Sequence, residues 1–229
     1  MRKALLLIIV GVGAVLAATS VPANALIFPL DVSFSGTAPV GDSPWLTATF
    51  EDSETNPALL TNHVRLTLAA PGLMDSEFVS EWYFNFSPSD SFGFPDVVAG
   101  LPYEIGTLIG QNNNKADGES GMFDMVFQFV ISDNPNDLDK RFTFGKFAVY
   151  EFTGTGAEPL TAESFNFLNE DGDFYSAAHI QAIGESDNLS GWIAATESIS
   201  AIPEPATILL LGTGLAGLLG IGRFRFKNN

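Results

Sequence analysis

The sequence predicts an all-β protein: a single antiparallel β-sandwich, jelly-roll-like, flanked by an N-terminal signal peptide and one C-terminal transmembrane helix. Three observations support this prediction. Apolar residues in the middle of the chain alternate with polar ones, as they do in half-buried strands. Gly, Pro, Asn and Asp cluster between these runs, at the spacing expected for turns. Each end of the chain carries a long apolar segment next to basic residues.

The N-terminus has the order of a secretory signal peptide. Arg2 and Lys3 precede an apolar run over residues 4–18, and Ala23 and Ala25 form a small-x-small cleavage site. We expect cleavage after Ala25. The alternative is a retained N-terminal membrane helix, which is disfavoured because the cleavage site follows the apolar run directly.

The C-terminus contains a second apolar segment. Residues 206–222 form a run of 17 residues without a charged side chain, near the short limit of about 17–20 for a membrane helix. Arg223, Arg225 and Lys227 follow, and basic residues next to a span are retained on the cytoplasmic side. We therefore expect a body outside the inner membrane and a tail inside. A buried core helix is the alternative, but such helices rarely end in a basic chain terminus.

A short motif stands directly before this span, at Pro203, Glu204 and Pro205. A Pro-Glu-Pro motif, a short apolar span and a basic tail together resemble the PEP-CTERM sorting signal, here over residues 202–229. The resemblance implies export by a Gram-negative-type cell as an inner-membrane-anchored precursor. It also implies processing near the motif by an exosortase, and delivery to the cell surface or an exopolysaccharide matrix.

These two ends divide the chain into a signal peptide at 1–25, an acidic domain at 26–201 and the sorting signal. The domain holds five basic residues and every one of the 27 acidic residues except Glu204, which gives a net charge of −21. Such a charge repels nucleic acid and anionic membrane surfaces. The chain has no cysteine, so disulfides, a thiol nucleophile and thiolate metal sites are excluded.

Several strands can be placed from their alternation. One is predicted around Leu30, Val32 and Phe34, and another begins at Phe142 and Phe144 with a bulge near Gly145. Two longer apolar faces are expected: Phe78, Ser80, Trp82, Phe84 and Phe86 on one strand, and Phe123, Met125, Phe127, Phe129 and Ile131 on another. Residues 157–168 have a modest helical pattern that is expected to give at most one turn.

Calcium is the metal that the acidic loops favour. Asn169, Asp171 and Asp173 alternate around Gly172, and oxygen ligands from such turns suit Ca²⁺. A second set comprises Asp133, Asp137 and Asp139. Neither loop has the full EF-hand pattern, and a solvated turn is the alternative for both.

Catalytic motifs are weak, and we expect no enzyme and no catalytic residues. There is no G-x-S-x-G motif, and His63 and His179 are the only histidines. His179 is expected in the core, because apolar residues surround it. Glu81 stands beside Trp82 and Tyr83, which makes it the best candidate carboxylate for glycoside hydrolysis.

Three functions are left open by the sequence. The first is a structural component of the extracellular matrix. The second is a carbohydrate-binding module that uses Trp45, Tyr83 and Trp192, and the third is a secreted glycoside hydrolase. Residues 81–85, and 178–181 with 191–193, are similar to segments of PEP-CTERM extracellular proteins without an assigned activity.

Overall fold

The computed structural model describes residues 25–74, 76–100, 104–117 and 121–200, and all of them belong to one compact unit. The described part is built of β-strands and two short 3-10 helices, Leu138–Lys140 and Ala162–Phe165. The strands are β1 (Leu26–Leu30), β2 (Val32–Gly36), β3 (Leu46–Asp52), β4 (His63–Ala69), β5 (Phe78–Phe84), β6 (Asp96–Gly100), β7 (Glu104–Lys115), β8 (Met122–Phe129), β9 (Phe142–Thr143), β10 (Phe147–Thr153), β11 (Ser176–Ile183), β12 (Leu189–Ala195) and β13 (Ile199–Ser200).

Two antiparallel sheets pack face to face, which confirms the predicted sandwich. Sheet A has the strand order β13-β1-β3-β4-β10-β6, and sheet B has the order β2-β12-β11-β5-β8-β7 with β9 beside β5. The order found is not that of a jelly roll, because the hairpins β3–β4, β7–β8 and β11–β12 keep consecutive strands side by side within a sheet. Among the described residues no helix has the length and apolar character needed to cross a membrane.

The core between the sheets is rich in aromatic side chains. Phe50 of sheet A lies at its centre, stacked on Phe165 at 4.4 Å between ring centroids and edge-on to Phe84 of sheet B at 5.5 Å. Phe28 approaches the same ring at 5.8 Å. Trp82 is fully buried, and its indole N–H donates to the Ser176 hydroxyl at 2.9 Å. A large aromatic core therefore holds the sheets together without disulfides.

The strand predicted around Leu30 is in fact two strands. Leu26, Phe28 and Leu30 of β1 are buried in sheet A, whereas Val32 of β2 is exposed and belongs to sheet B. The chain changes sheet at Asp31, whose backbone N–H donates to the Ala194 carbonyl at 3.2 Å. The continuous alternation of apolar residues concealed this change of sheet.

The predicted apolar face of β5 is wrong at its beginning. Val79, Trp82 and Phe84 face the main core, because the β5–β11 register shifts by one residue between Val79 and Glu81. The extra residue is Ser80, so the strand contains a bulge there.

The predicted bulge near Gly145 is instead a turn between two strands. Phe142 of β9 is buried, Phe144 is 59% exposed, and Gly145 has a φ of +71°. The modest helical pattern is confirmed as one 3-10 turn, which begins with a capping box between Thr161 and Ser164.

Three buried carboxylates fasten loops to the sandwich. Asp52 accepts the backbone N–H of Ala162 at 3.0 Å, as well as those of Glu54 and Thr55. The Glu77 carboxylate accepts hydrogen bonds from the backbone N–H groups of Val40, at 2.7 Å, and Met74, at 2.8 Å. A third pair of bonds joins the backbone N–H groups of Phe86 and Asn112 to the carboxylate of Asp124, at 3.0 and 2.7 Å. Part of the acidity of the chain therefore has a structural role.

Candidate functional site

A single row of side chains crosses the outer face of sheet B. Trp192 of β12 lies opposite His179 of β11, His179 opposite Glu81 of β5, and Glu81 opposite Gln128 of β8. Cross-strand partners project from the same side of a sheet, so these four residues form a line perpendicular to the strands. We call this set the polar row. It joins the two sequence segments around Glu81 and His179 that lie far apart in the chain.

The bulge at Ser80 brings a fifth polar group to the polar row. Its hydroxyl oxygen lies 2.9 Å from Nδ1 of His179 and 3.3 Å from the His179 carbonyl oxygen. A hydroxyl has one proton, and when that proton goes to the carbonyl its oxygen accepts from Nδ1–H. Nε2 of His179 then keeps its lone pair and can accept a hydrogen bond from a ligand.

His179 lies on the outer face of the sheet and not in the core, contrary to the sequence-based expectation. The ring is stacked on Trp192 at 4.5 Å between centroids with 15° between the planes. Partial burial lowers the pKa of His179, while the charges of Glu81 and Asp117 act in the opposite direction. The neutral ring is therefore favoured at neutral pH.

Neutral groups surround the Glu81 carboxylate. Tyr83 donates its phenolic O–H to Oε2 of Glu81 at 3.0 Å, and Nε2 of Gln128 lies 3.5 Å from Oε1. Burial and the neighbouring carboxylate raise the pKa of Tyr83, so this phenol remains a donor at every physiological pH. Glu81 and Tyr83 lie on one face of β5 and Trp82 points to the core, as alternation along a strand requires.

A cavity of about 210 Å³ opens beside the polar row. It is lined by Ser80, Glu81, Gln128, Phe129, Ile131, His179 and Gln181. Glu81 is the only carboxylate among these lining residues, and Ile131, which is 53% exposed, supplies an apolar wall. The cavity can thus offer a negative charge, amide groups, an imidazole and apolar surface to one small ligand.

The rest of this outer face is closed by a second apolar cluster. Tyr83, Phe123, Val126, Ala177 and Ala194 are buried there, and Phe34, Phe174, Ala116 and Trp192 pack against them. The aromatic ring of Phe34 stacks on that of Phe174 at 4.7 Å. These contacts cover the sheet on one side of the polar row, so the cavity is on the open side.

Comparison with known proteins assigns the C-terminal segment. A family model of the PEP-CTERM protein-sorting motif matches residues 201–225. The chain carries a PEP-CTERM sorting signal. The motif implies export, a membrane-associated sorting signal and processing by an exosortase. No curated protein and no solved structure matches the chain. The sorting motif is therefore the one similarity on which a function can be argued.

The predicted residues of the sorting signal lie outside the described part of the chain. They are Pro203, Glu204 and Pro205, with the basic tail Arg223, Arg225 and Lys227. The predicted signal-cleavage residues Ala23 and Ala25 differ: Ala23 is outside the described part, and Ala25 directly precedes β1. The signal peptide and the transmembrane helix stay predictions.

The loop predicted to bind calcium forms a tight turn, in which the Asn169 side chain accepts backbone N–H groups of the same loop. The side-chain oxygen of Asn169 accepts the N–H groups of Asp173 and Phe174, both at 2.9 Å, and Gly172 has a φ of +81°. Asp171 and Asp173 are exposed. Within the described residues, no group of three or more acidic or histidine side chains is arranged to hold a metal ion. Calcium binding by Asn169, Asp171 and Asp173 stays a prediction.

The second acidic loop is neutralised by the protein's own cations. Asp133 forms an ion pair with Arg141, and Asp137 accepts from Lys140 at 2.6 Å. The bonds from Lys140 and Ser132 lower the pKa of Asp137. Lys146 donates to the carbonyl oxygen of Asp139. Two of the three carboxylates of this loop therefore pair with cations of the protein itself.

None of the three aromatic residues predicted to bind sugar belongs to the residues that line this cavity. Trp45 is 9% exposed and donates its indole N–H to the Gly41 carbonyl at 2.7 Å, which is a structural contact. Tyr83 is a buried member of the second apolar cluster. Trp192 supports the ring of His179. Sequence reasoning missed Gln128 and Ser80, although a serine within an apolar face was a signal of the bulge.

Proposed function

We propose that this PEP-CTERM protein is an exported structural component of the cell surface or the exopolysaccharide matrix, and that it acts by binding and not by catalysis. The observation that carries the proposal is the sorting motif at residues 201–225, which begins directly after β13. In this view the exosortase removes the C-terminal segment, and the sandwich is the part that works outside the cell.

The charge of the body supports a role in a hydrated matrix. A net charge of −21 keeps the sandwich soluble and attracts counter-ions and cationic polymers. The aromatic core supplies stability in an extracellular setting without disulfides. A soluble acidic module of this kind suits a hydrated polysaccharide gel.

A carbohydrate-binding module is the second candidate function. The cavity beside the polar row favours it, because sugars are bound by planar polar side chains together with apolar or aromatic surface. Glu81, Gln128 and Gln181 supply hydrogen-bonding groups, and His179 on Trp192 supplies a ring platform.

A secreted glycoside hydrolase has less support. Most glycosidases use two carboxyl groups on either side of the scissile bond. The described lining of the cavity supplies the single carboxylate of Glu81. The Ser80 hydroxyl is hydrogen-bonded to His179. A catalytic triad also needs a third group, such as a carboxylate, that orients the histidine, and the hydrogen bonds of His179 within the cavity lining include no such group.

The first test of the proposal is the intact mass of the native protein in each cell fraction. A mass for a chain that begins at Leu26 and ends near residue 202, found in the outer envelope or the medium, is the expected result. A mass that includes Asn229, found solely in the inner membrane, would overturn the proposal and make the body a tail-anchored domain.

A matched pair of variants makes the test specific. Glu204→Ala changes the motif, and Glu197→Ala removes an exposed carboxylate outside it. We expect the first variant to accumulate uncut in the inner membrane and the second to be processed normally. Equal processing of both variants would contradict a role of the motif.

A further inference from the structure

We propose that the cavity beside the polar row binds a sugar unit that carries a protonated amine, as in a glycan with free amino groups. This inference rests on the carbohydrate-binding role proposed above, and it names the residues and the ligand class. Three features of the cavity support this ligand: its charge, its hydrogen-bonding groups and its size.

The charge of the site favours a cationic group. The Glu81 carboxylate is held by two neutral partners, Tyr83 and Gln128, and forms none of the ion pairs found among the described residues. Asp117 adds a second negative charge close enough to act on His179. A protonated amine in the cavity would give Glu81 the cationic partner that it lacks.

The other groups of the site suit sugar hydroxyls. Nε2 of a neutral His179 accepts a hydrogen bond, and the amide groups of Gln128 and Gln181 can both donate and accept. The stacked pair of His179 and Trp192 holds the imidazole in one orientation at 4.5 Å. Ile131 offers the apolar surface against which the C–H face of a sugar ring packs.

The size of the cavity indicates one ring of a longer chain. Its volume of about 210 Å³ is below the ~300–1,000 Å³ typical of pockets for drug-sized ligands. The cavity lies on the open outer face of sheet B, so the neighbouring units of a polymer can extend along the sheet. The site is therefore suited to a repeated unit of a polysaccharide.

The experiment is isothermal titration of the full-length chain, kept in a detergent without a sugar head group. Three probes are compared: a trimer of glucosamine, the same trimer fully N-acetylated, and tri-lysine. Glu81→Gln removes the charge of the site and keeps its shape. Glu54→Gln is the matched control. It removes an equal charge at an exposed position just after β3 of sheet A, whereas the cavity lies on sheet B.

We expect the glucosamine trimer to bind the wild-type chain and Glu54→Gln equally, and to bind Glu81→Gln at least about tenfold more weakly, as loss of a charged hydrogen bond predicts. The N-acetylated trimer and tri-lysine should both bind more weakly than the glucosamine trimer. Binding of tri-lysine at the same affinity would overturn recognition of the sugar.

The remaining outcomes separate this inference from the function on which it rests. Equal affinity for the N-acetylated trimer, again lost in Glu81→Gln, would overturn the amine and leave carbohydrate binding in place. No binding of either sugar would overturn both proposals. Equal weakening by Glu81→Gln and Glu54→Gln would show attraction by the overall charge and would overturn the site.

Discussion

Leu26 and Ser200 lie directly opposite each other in the ladder between β1 and β13. The first and last strands of the described sandwich are therefore neighbours at one edge of sheet A. The predicted signal-cleavage site directly precedes β1, and the sorting motif directly follows β13. The predicted signal peptide and the sorting motif would thus both join the body at this edge.

This pairing can be trapped by a disulfide. Ile27 and Ile199 are also direct partners, and the two Cα atoms of such a pair are within the range that a disulfide can span. The natural chain has no cysteine, so Ile27→Cys with Ile199→Cys introduces a single possible bridge. We expect mild oxidation to give a chain that migrates faster on a non-reducing gel.

The control for this bridge pairs Ile27→Cys with Leu60→Cys, a residue that is 68% exposed in the β3–β4 loop. This chain should remain reduced or form intermolecular dimers. Equal cross-linking in both double variants would contradict the pairing of the two ends.

Phe50→Ala should destabilise the sandwich by about 3–5 kcal/mol, the range for loss of a buried phenylalanine. The side chain is fully buried and contacts aromatic rings of both sheets. Phe94→Ala removes the same ring at a position that is 73% exposed and should change stability by less than about 0.5 kcal/mol. Urea denaturation of both variants measures the difference, and equal losses would contradict the location of the core.

Asp52→Ala should cost about 1–3 kcal/mol, because it leaves the backbone N–H of Ala162 buried without its acceptor. The nearby Glu54 is exposed, and Glu54→Ala should leave the free energy of unfolding almost unchanged. Amide hydrogen exchange gives a second measurement, since the 3-10 turn at Ala162–Phe165 should lose protection in Asp52→Ala alone. Unchanged protection there would show that the carboxylate does not hold the turn.

His179 should titrate below its ordinary value of 6.5, because partial burial disfavours the charged ring. The folded state then binds its proton less readily than the unfolded state. The contribution of His179 to stability is complete above pH 6.5 and declines as the pH falls through 6.5 toward the folded pKa. An NMR titration of the ring protons measures the folded pKa, and a value above 6.5 would contradict the burial of the ring.

The same titration tests the contact between Glu81 and His179. The Glu81 charge favours protonation of the ring, so Glu81→Gln should lower the pKa of His179 further. Glu54→Gln is again the control and should leave the pKa unchanged. A rise in Glu81→Gln would mean that the two groups are not arranged as described.

The sequence was sufficient for the class of fold and for the sorting signal. Alternation with period two identified most strands, because each face of a half-buried strand has one polarity. It failed at Asp31, where the chain changes sheet, and at Ser80, where a bulge reverses the faces of β5. At Asp31 the chain passes from one sheet to the other, and at Ser80 the register with β11 shifts by one residue. The alternation of side chains continues through both places, so it does not show which face a residue joins.

The candidate site depended on the tertiary structure. By itself, the sequence determined an exported acidic β protein with a C-terminal sorting motif, because charge, hydropathy and short motifs are local properties of the chain. The strand register decided that Glu81, Gln128, His179 and Trp192 share one row, since β5, β8 and the β11–β12 hairpin are far apart in sequence. The pattern of one strand restricts its register by fixing which face is buried, but the choice of partner strand comes from the tertiary fold.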